Sequence, residues 1–194
     1  MAKVKMPLMS ASASGKIANS LVYFTWKGLD VVRSYVVPSN PNTTSQQTQR
    51  GYFSDAVDLF HDTEFQDIDR SALNLAASIE KNAMSGFNWF IKKVVEALKL
   101  GNTFNPLYNA DISSITKNSA TVKIDCDSSK TAKLYWGTTK TFLPNEVSGT
   151  YGTGTWQFSL TDLPSNSLIY FKVKNTAEDE SGITGIYYFK TLVS

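Results

Sequence analysis

A chain of 194 residues with 42% hydrophobic and 12% aromatic content has enough apolar material for a core, which excludes a disordered polymer. Its formal net charge of +2 is too small for a protein that condenses nucleic acid by charge alone. One cysteine, Cys126, rules out an intrachain disulfide, and with the single histidine, His61, it also rules out the ordinary zinc ligand sets.

The charge is unevenly spread. Residues 1–52 carry a net +5, residues 53–105 a net −3, and residues 106–194 sum to zero. A basic leading segment suits an acidic partner surface or a phosphate backbone, and equally a solvated face. Residues 1–14 are small and polar and read as a flexible arm in the free chain. They hold no apolar run of signal-peptide length, and no stretch of about 18 apolar residues occurs, so neither a leader nor a membrane helix is expected.

Leu21–Trp26 and Leu29–Val36 are β-rich, and Lys27-Gly28 sits between them at a hairpin position. The ribbon has apolar or aromatic residues on both faces. An isolated ribbon is marginal in water, so it is expected to lie on the helices, join another subunit or clamp a partner. A Pro/Asn-rich connector follows. Thr44 and Gln47 then have capping-box spacing, and Tyr52, Phe53, Ala56, Val57 and Phe60 form a helical stripe. A second helix is expected from Glu64 to Lys81, with Phe65, Ile68, Ala72, Leu75, Ala76 and Ile79 on one face. A third begins near Ser85 as N-cap and buries Phe87, Phe90, Ile91, Val94, Val95 and Leu98. Gly101 supplies its stop, and Asn105-Pro106 reads as a linker.

Beyond that linker apolar residues alternate. Strands are expected at 111–115, 120–126, 132–137, 155–160, 168–174 and 182–191, with Ser/Asn/Gly/Pro turns between them. Cys126 falls on one face of a strand and reads as a buried structural thiol. The segments ATVKIDC, AKLYWGTT, LTDLPSNSLIYFKVKNT and GITGIYYFKT resemble a fibronectin type III domain over about residues 107–194. That resemblance places Ile169 at the tyrosine-corner position, so the corner bond is lost or Tyr170 replaces it after a one-residue shift. The fold class expected is therefore α+β in two domains: a β-ribbon plus three helices over 15–105, then an all-β immunoglobulin- or fibronectin III-like sandwich over 106–194. The Gly-rich loop 143–156, with Tyr151 near its centre, is a candidate contact tip or a free flexible loop.

No constellation for catalysis emerges. There is no phosphate-cradling glycine pattern. His61 lies in an acidic connecting stretch and reads as a surface residue. Asp67/Asp69 and Glu178/Asp179/Glu180 could hold a cation or serve a glycosidase, but calcium-loop spacing is absent and solvated charge is the simpler reading. No enzyme activity, cofactor or metal is expected.

The ordered pieces SGKIANS, TWKG, VRSYV, PSNPNT, QQTQR and SGFNWF, over roughly residues 14–92, resemble a recurrent block in virion proteins of tailed phages and prophages. The resemblance implies a structural part of the particle: a capsid auxiliary, decoration or head-fibre type of protein, made in the host cytoplasm and located in the virion. Residues 1–105 would attach to the particle and the sandwich would project. The implied partners are other virion proteins (capsid, portal, neck or tail), further copies of the chain as a homo-oligomer, and a host surface met through the sandwich. The candidate interface residues are Tyr23, Trp26, Lys27, Arg33, Tyr35, Arg50 and Tyr151. The alternative reading is a nucleic-acid-binding or architectural protein that uses the basic, aromatic ribbon.

Overall fold

The computed structural model describes residues 2–3, 13–37, 39, 42–80, 84–128 and 130–193. Two compact units result, residues 1–43 and residues 44–194. The expected grouping of the ribbon with the helices, and the expected break after residue 105, both differ from this division.

The first unit is a four-stranded antiparallel sheet of β1 (Ala2–Lys3), β2 (Gly15–Ile17), β3 (Leu21–Trp26) and β4 (Leu29–Ser34), in the order β1-β4-β3-β2. The hairpin expected between β3 and β4 is present. Lys27 (φ +51°) and Gly28 (φ +77°) are both left-handed, the two-residue turn whose twist matches that of its strands. The ribbon is wider than expected, since β2 adds to β3 and β1 adds to β4. Residues 2–3 of the expected arm are thus paired strand. Residues 4–12, and Pro38, Asn40 and Pro41 of the connector, lie outside the described residues. Among the described residues of this unit only Val31, 5% exposed, is buried.

The second unit opens with α1 (Thr44–Asp62), α2 (Asp67–Ile79) and α3 (Gly86–Lys99). Ser85 caps α3 as expected, its hydroxyl accepting from the Asn88 amide, and Gly101 ends it at φ +80°. Phe90, buried and centred among Phe60, Phe65 and Phe104 with ring centroids 5.1–5.5 Å apart in successive pairs, organises the helical core.

After β5 (Thr103–Phe104) comes the sandwich: β6 (Tyr108–Ser113), β7 (Ala120–Asp125), β8 (Ala132–Gly137), β9 (Asn145–Ser148), β10 (Thr150–Gly152), β11 (Thr155–Leu160), β12 (Leu168–Asn175), β13 (Glu180–Ser181) and β14 (Tyr187–Lys190). One sheet runs β10-β11-β7-β6 and the facing sheet β14-β12-β8-β9. Inward residues alternate along each strand: Val122 and Ile124, Leu134, Phe158 and Leu160, and Ile169, Phe171 and Val173 are all fully buried. This is a fibronectin type III-like sandwich, and with the helices it makes an α+β fold. Ile169 points into the core and Tyr170 faces outward, its ring 6.0 Å from that of Tyr188. Neither therefore builds a tyrosine corner within the sandwich core.

The helices and the sandwich share one body because α2 closes the sandwich's open side. That side lies between β6 and β14, each the end strand of its sheet. A bulge between Tyr108 and Asp111, with Asn109 at φ +55°, takes two amides out of the β6–β7 ladder. The buried carboxylate of Asp69 receives both, from Asn109 (3.0 Å) and Ala110 (3.4 Å), and also the Tyr187 hydroxyl of β14. The same carboxylate caps its own helix by accepting from the Gln66 amide at 2.9 Å. Ala72, one turn on, joins the sandwich core, and its carbonyl accepts from the Ile186 amide at 3.0 Å. Gly185 permits this approach, since a Cβ there would run into the Ala72 backbone. The expected apolar face of α2 is correspondingly rotated: Ile68 is 43% exposed, while Asp69, Leu73 and Ala77 are buried.

The expected linker is also structured. Residues 103–105 pair with β13, Phe104 and Leu107 are buried, and the buried Glu180 carboxylate accepts from the side-chain amides of Asn105 and Asn175. The last strand is shorter than the expected 182–191 because residues 184–186 turn aside to meet α2.

Replacing Asp69 by Ala leaves the amides of Gln66, Asn109 and Ala110 and the buried Tyr187 hydroxyl without their acceptor. The variant is expected to lose roughly 3 kcal/mol or more in urea unfolding of the full chain. A fragment that starts at residue 106 should likewise fail to give a cooperative melt. A stable, cooperative fragment would show that α2 is dispensable to the sandwich.

Candidate interface on the N-terminal sheet

Alternation sorts the sheet of the first unit into two faces. The register puts Phe24, Trp26, Leu29, Val31 and Arg33 on one face and Leu21, Tyr23, Asp30 and Val32 on the other. On the first face three cations each sit over an aromatic ring. Lys16 lies 4.4 Å from the Tyr35 centroid, Lys27 5.5 Å from Trp26, and Arg33 5.5 Å from Phe24. Each ring lies beneath a cation, so the face interleaves charge with apolar surface. Trp26, 53% exposed, stands at the hairpin end beside the turn.

Of the expected interface residues, Trp26, Lys27, Arg33 and Tyr35 come together here. Tyr23 belongs to the opposite face, beside the exposed Leu21 and Ile17. Lys16 and Phe24 complete the mosaic and were missed. Their signal was the strand parity that pairs Lys16 with Val22 and Val22 with Arg33. Arg50 lies on α1 in the second unit and lines an open groove with Phe53 and Val57.

Tyr151 does not stand on a free loop. The segment 143–156 is largely β9 and β10, and Tyr151 packs on Trp156 at 5.3 Å, with its hydroxyl donating to the Cys126 carbonyl. The turn Thr153-Gly154 is what remains of the expected loop, with both residues at positive φ.

Three of the carboxylates considered for chemistry are otherwise engaged. Asp69 is used up by its four donors. Asp179 pairs with Lys130 at 2.7 Å, and Glu180 is held by its two amides. His61 is exposed, its ring edge-on to Phe60. Cys126 is buried, and burial pushes its thiol above the ordinary range. Burial, and after it the Asp69 charge, holds the Tyr187 phenol well above its usual value. Among the described residues no three His, Cys, Asp or Glu side chains are placed to hold a metal, and no helix is long and apolar enough to cross a membrane.

Glu80, at the end of α2, accepts from Lys92, lies 3.1 Å from Lys93 and accepts from the Trp89 indole at 3.0 Å. The Lys92 hydrogen bond outweighs the cost of partial burial and, with Lys93 and Trp89, lowers its pKa from 4.5 to about 2. A depressed carboxyl stabilises the fold above its unfolded pKa. That contribution should therefore be full above pH 4.5 and disappear as pH falls to about 2. Urea titrations between those limits should show a smaller acid loss for Glu80→Gln than for the native chain; equal losses would remove Glu80 from the acid response.

Neither a protein-family model nor a curated protein sequence matches the chain. Solved structures similar to it align with somewhat under half of its length. A computationally redesigned β-sandwich protein shares 17% identity over 45% of this chain and 95% of its own, with a TM-score of 0.37. The FN3 domain (residues P368–P466) of human collagen XX shares 16% over 45% and 94%, with a TM-score of 0.36. The FN5 domain of Drosophila Lar shares 13% over 46% and 97%, also at 0.36. The assignment to the fibronectin III-like class rests on the strand order and inward alternation described above.

Proposed function

We propose that the chain is a structural component of a tailed-phage particle, with the N-terminal sheet as its docking element and the sandwich displayed. The observation that supports docking is the sheet itself. It has apolar and aromatic side chains on both faces, yet a single buried residue among those described. A sheet of short strands needs a covered face to be stable. A second copy or a neighbouring virion protein would supply the cover, and symmetric assembly is the usual outcome for such parts. The particle as the setting is supported by the sequence resemblance over residues 14–92.

The cations above these rings also suit a phosphate backbone, which keeps nucleic-acid binding as a second reading. Duplex DNA binding that collapses with added salt would favour it over particle docking.

Trp26→Ala and Arg33→Ala should each weaken incorporation into particles by roughly 1–4 kcal/mol, read as copy number by mass spectrometry of purified virions. The melt of the helix–sandwich body should not move, since those residues lie in the other unit. Unchanged copy number in both variants would overturn the docking role.

A further inference from the structure

The outer face of the β14-β12-β8 sheet carries a second array that the docking proposal does not use. Along β12 the positions outside the sandwich core are Leu168, Tyr170, Lys172 and Lys174; Tyr170 packs against the helical cluster and supports the exposed Tyr188 beside it. The register sets Tyr188 of β14 opposite Tyr170, and Tyr135 of β8 opposite Lys172. Lys190 lies beyond Tyr188 on the same face. Tyr188 is 60% exposed, and its ring is tilted 43° against that of Tyr170.

The lysines lack counter-charges. Among the described residues no carboxylate lies within ion-pair distance of Lys172, Lys174 or Lys190. The acids nearby are taken: Glu146 by Lys133 at 2.9 Å, and Glu80 and Glu96 by Lys93 at 3.1 and 3.7 Å. Lys172 is half-buried, and its ammonium is pushed below its ordinary pKa by burial and then by Lys174 and Lys93. A bound anion would relieve that repulsion.

We propose that this face binds a linear acidic polysaccharide, with the exposed Tyr188 ring stacking on a sugar face and Lys172, Lys174 and Lys190 pairing with its carboxylate or sulfate groups. Lys172 and Lys174, two residues apart on one strand, rise from backbone positions about 7 Å apart on the same face, which suits anions repeated along a chain. Tyr188 offers both an apolar ring and a hydroxyl, the combination that a sugar with its C–H face and hydroxyls requires. A nucleic acid fits less well. From residue 71 onward the chain has no arginine, the cation suited to planar phosphate and base contacts, and residues 106–194 are neutral overall. The proposal does not depend on the chain being a virion part, and its test uses the purified chain without particles.

Calorimetric titration of the full chain against three size-matched probes tests it: a heparin oligosaccharide (sulfate), an oligoguluronate (carboxylate) and oligo-dT. Neutral dextran serves as a blank. One or both acidic glycans should bind, and dextran should not. Lys172→Gln with Lys174→Gln should weaken binding about tenfold or more, and Tyr188→Ala by at least several-fold, with unchanged melts. Lys27→Gln with Arg33→Gln should leave it intact. Failure of both acidic glycans to bind, tighter binding of oligo-dT, equal affinity in the Lys172/Lys174 variant, or loss of binding in the Lys27/Arg33 variant would each overturn the assignment.

Discussion

A single buried carboxylate, that of Asp69, decides how most of this molecule is put together. A buried charge is tolerated only when donors surround it. Here the donors come from a helix cap, a β-bulge and a strand of the opposite sheet. The bulge in β6 would otherwise strand two amides, and the open side of the sandwich would otherwise expose its core to water. Asp69 and Ala72 answer both needs in one turn of α2. The helices therefore complete the sandwich, and the buried pairing of Glu180 with Asn105 and Asn175 fastens the segment between them.

The two units differ in how far their own residues satisfy them. The helix–sandwich body buries large side chains in two continuous clusters, and no buried side-chain polar atom among the described residues lacks a partner. The N-terminal sheet has its strands paired, yet among its described residues only Val31 is buried. That contrast supports a division of labour in which a self-sufficient body is presented and a sheet is finished by whatever it docks against. Within the body, the lysines and tyrosines on the β14-β12-β8 face are placed by simple alternation, outside the inward residues that the fold needs.

Local pattern made much of this legible in the sequence. β8 and β11 fall where alternation places them, the Lys27-Gly28 turn follows from the residues that tolerate positive φ, and Ser85 and Gly101 bound α3 as capping rules require. What escaped depends on partners distant in the chain. An aspartate on a helix reads as solvated, and only the bulge 40 residues later and the tyrosine 118 residues later make Asp69 a buried group. Asn105-Pro106 reads as a linker until Ser181 and Glu180 reach it. Tyr151 sits amid glycines and looks mobile, because its neighbour Trp156 lies on the paired strand. At the candidate interface the residue types and the alternation that sets Tyr23 with Leu21, opposite Phe24 and Trp26, were apparent; the added strand β2 that brings Lys16 to the Trp26 face was not.

Native-state hydrogen exchange of the free full-length chain tests the division between the two units most directly. If α2 and the sandwich form one cooperative body, the amides of Ala110, Ile186 and the middle of α2 share a single opening free energy equal to that of global unfolding, while those of β3 and β4 exchange far faster. An α2 that opens independently of Ala110 and Ile186, or a β3–β4 pair protected as strongly as the sandwich core in the free chain, would contradict it.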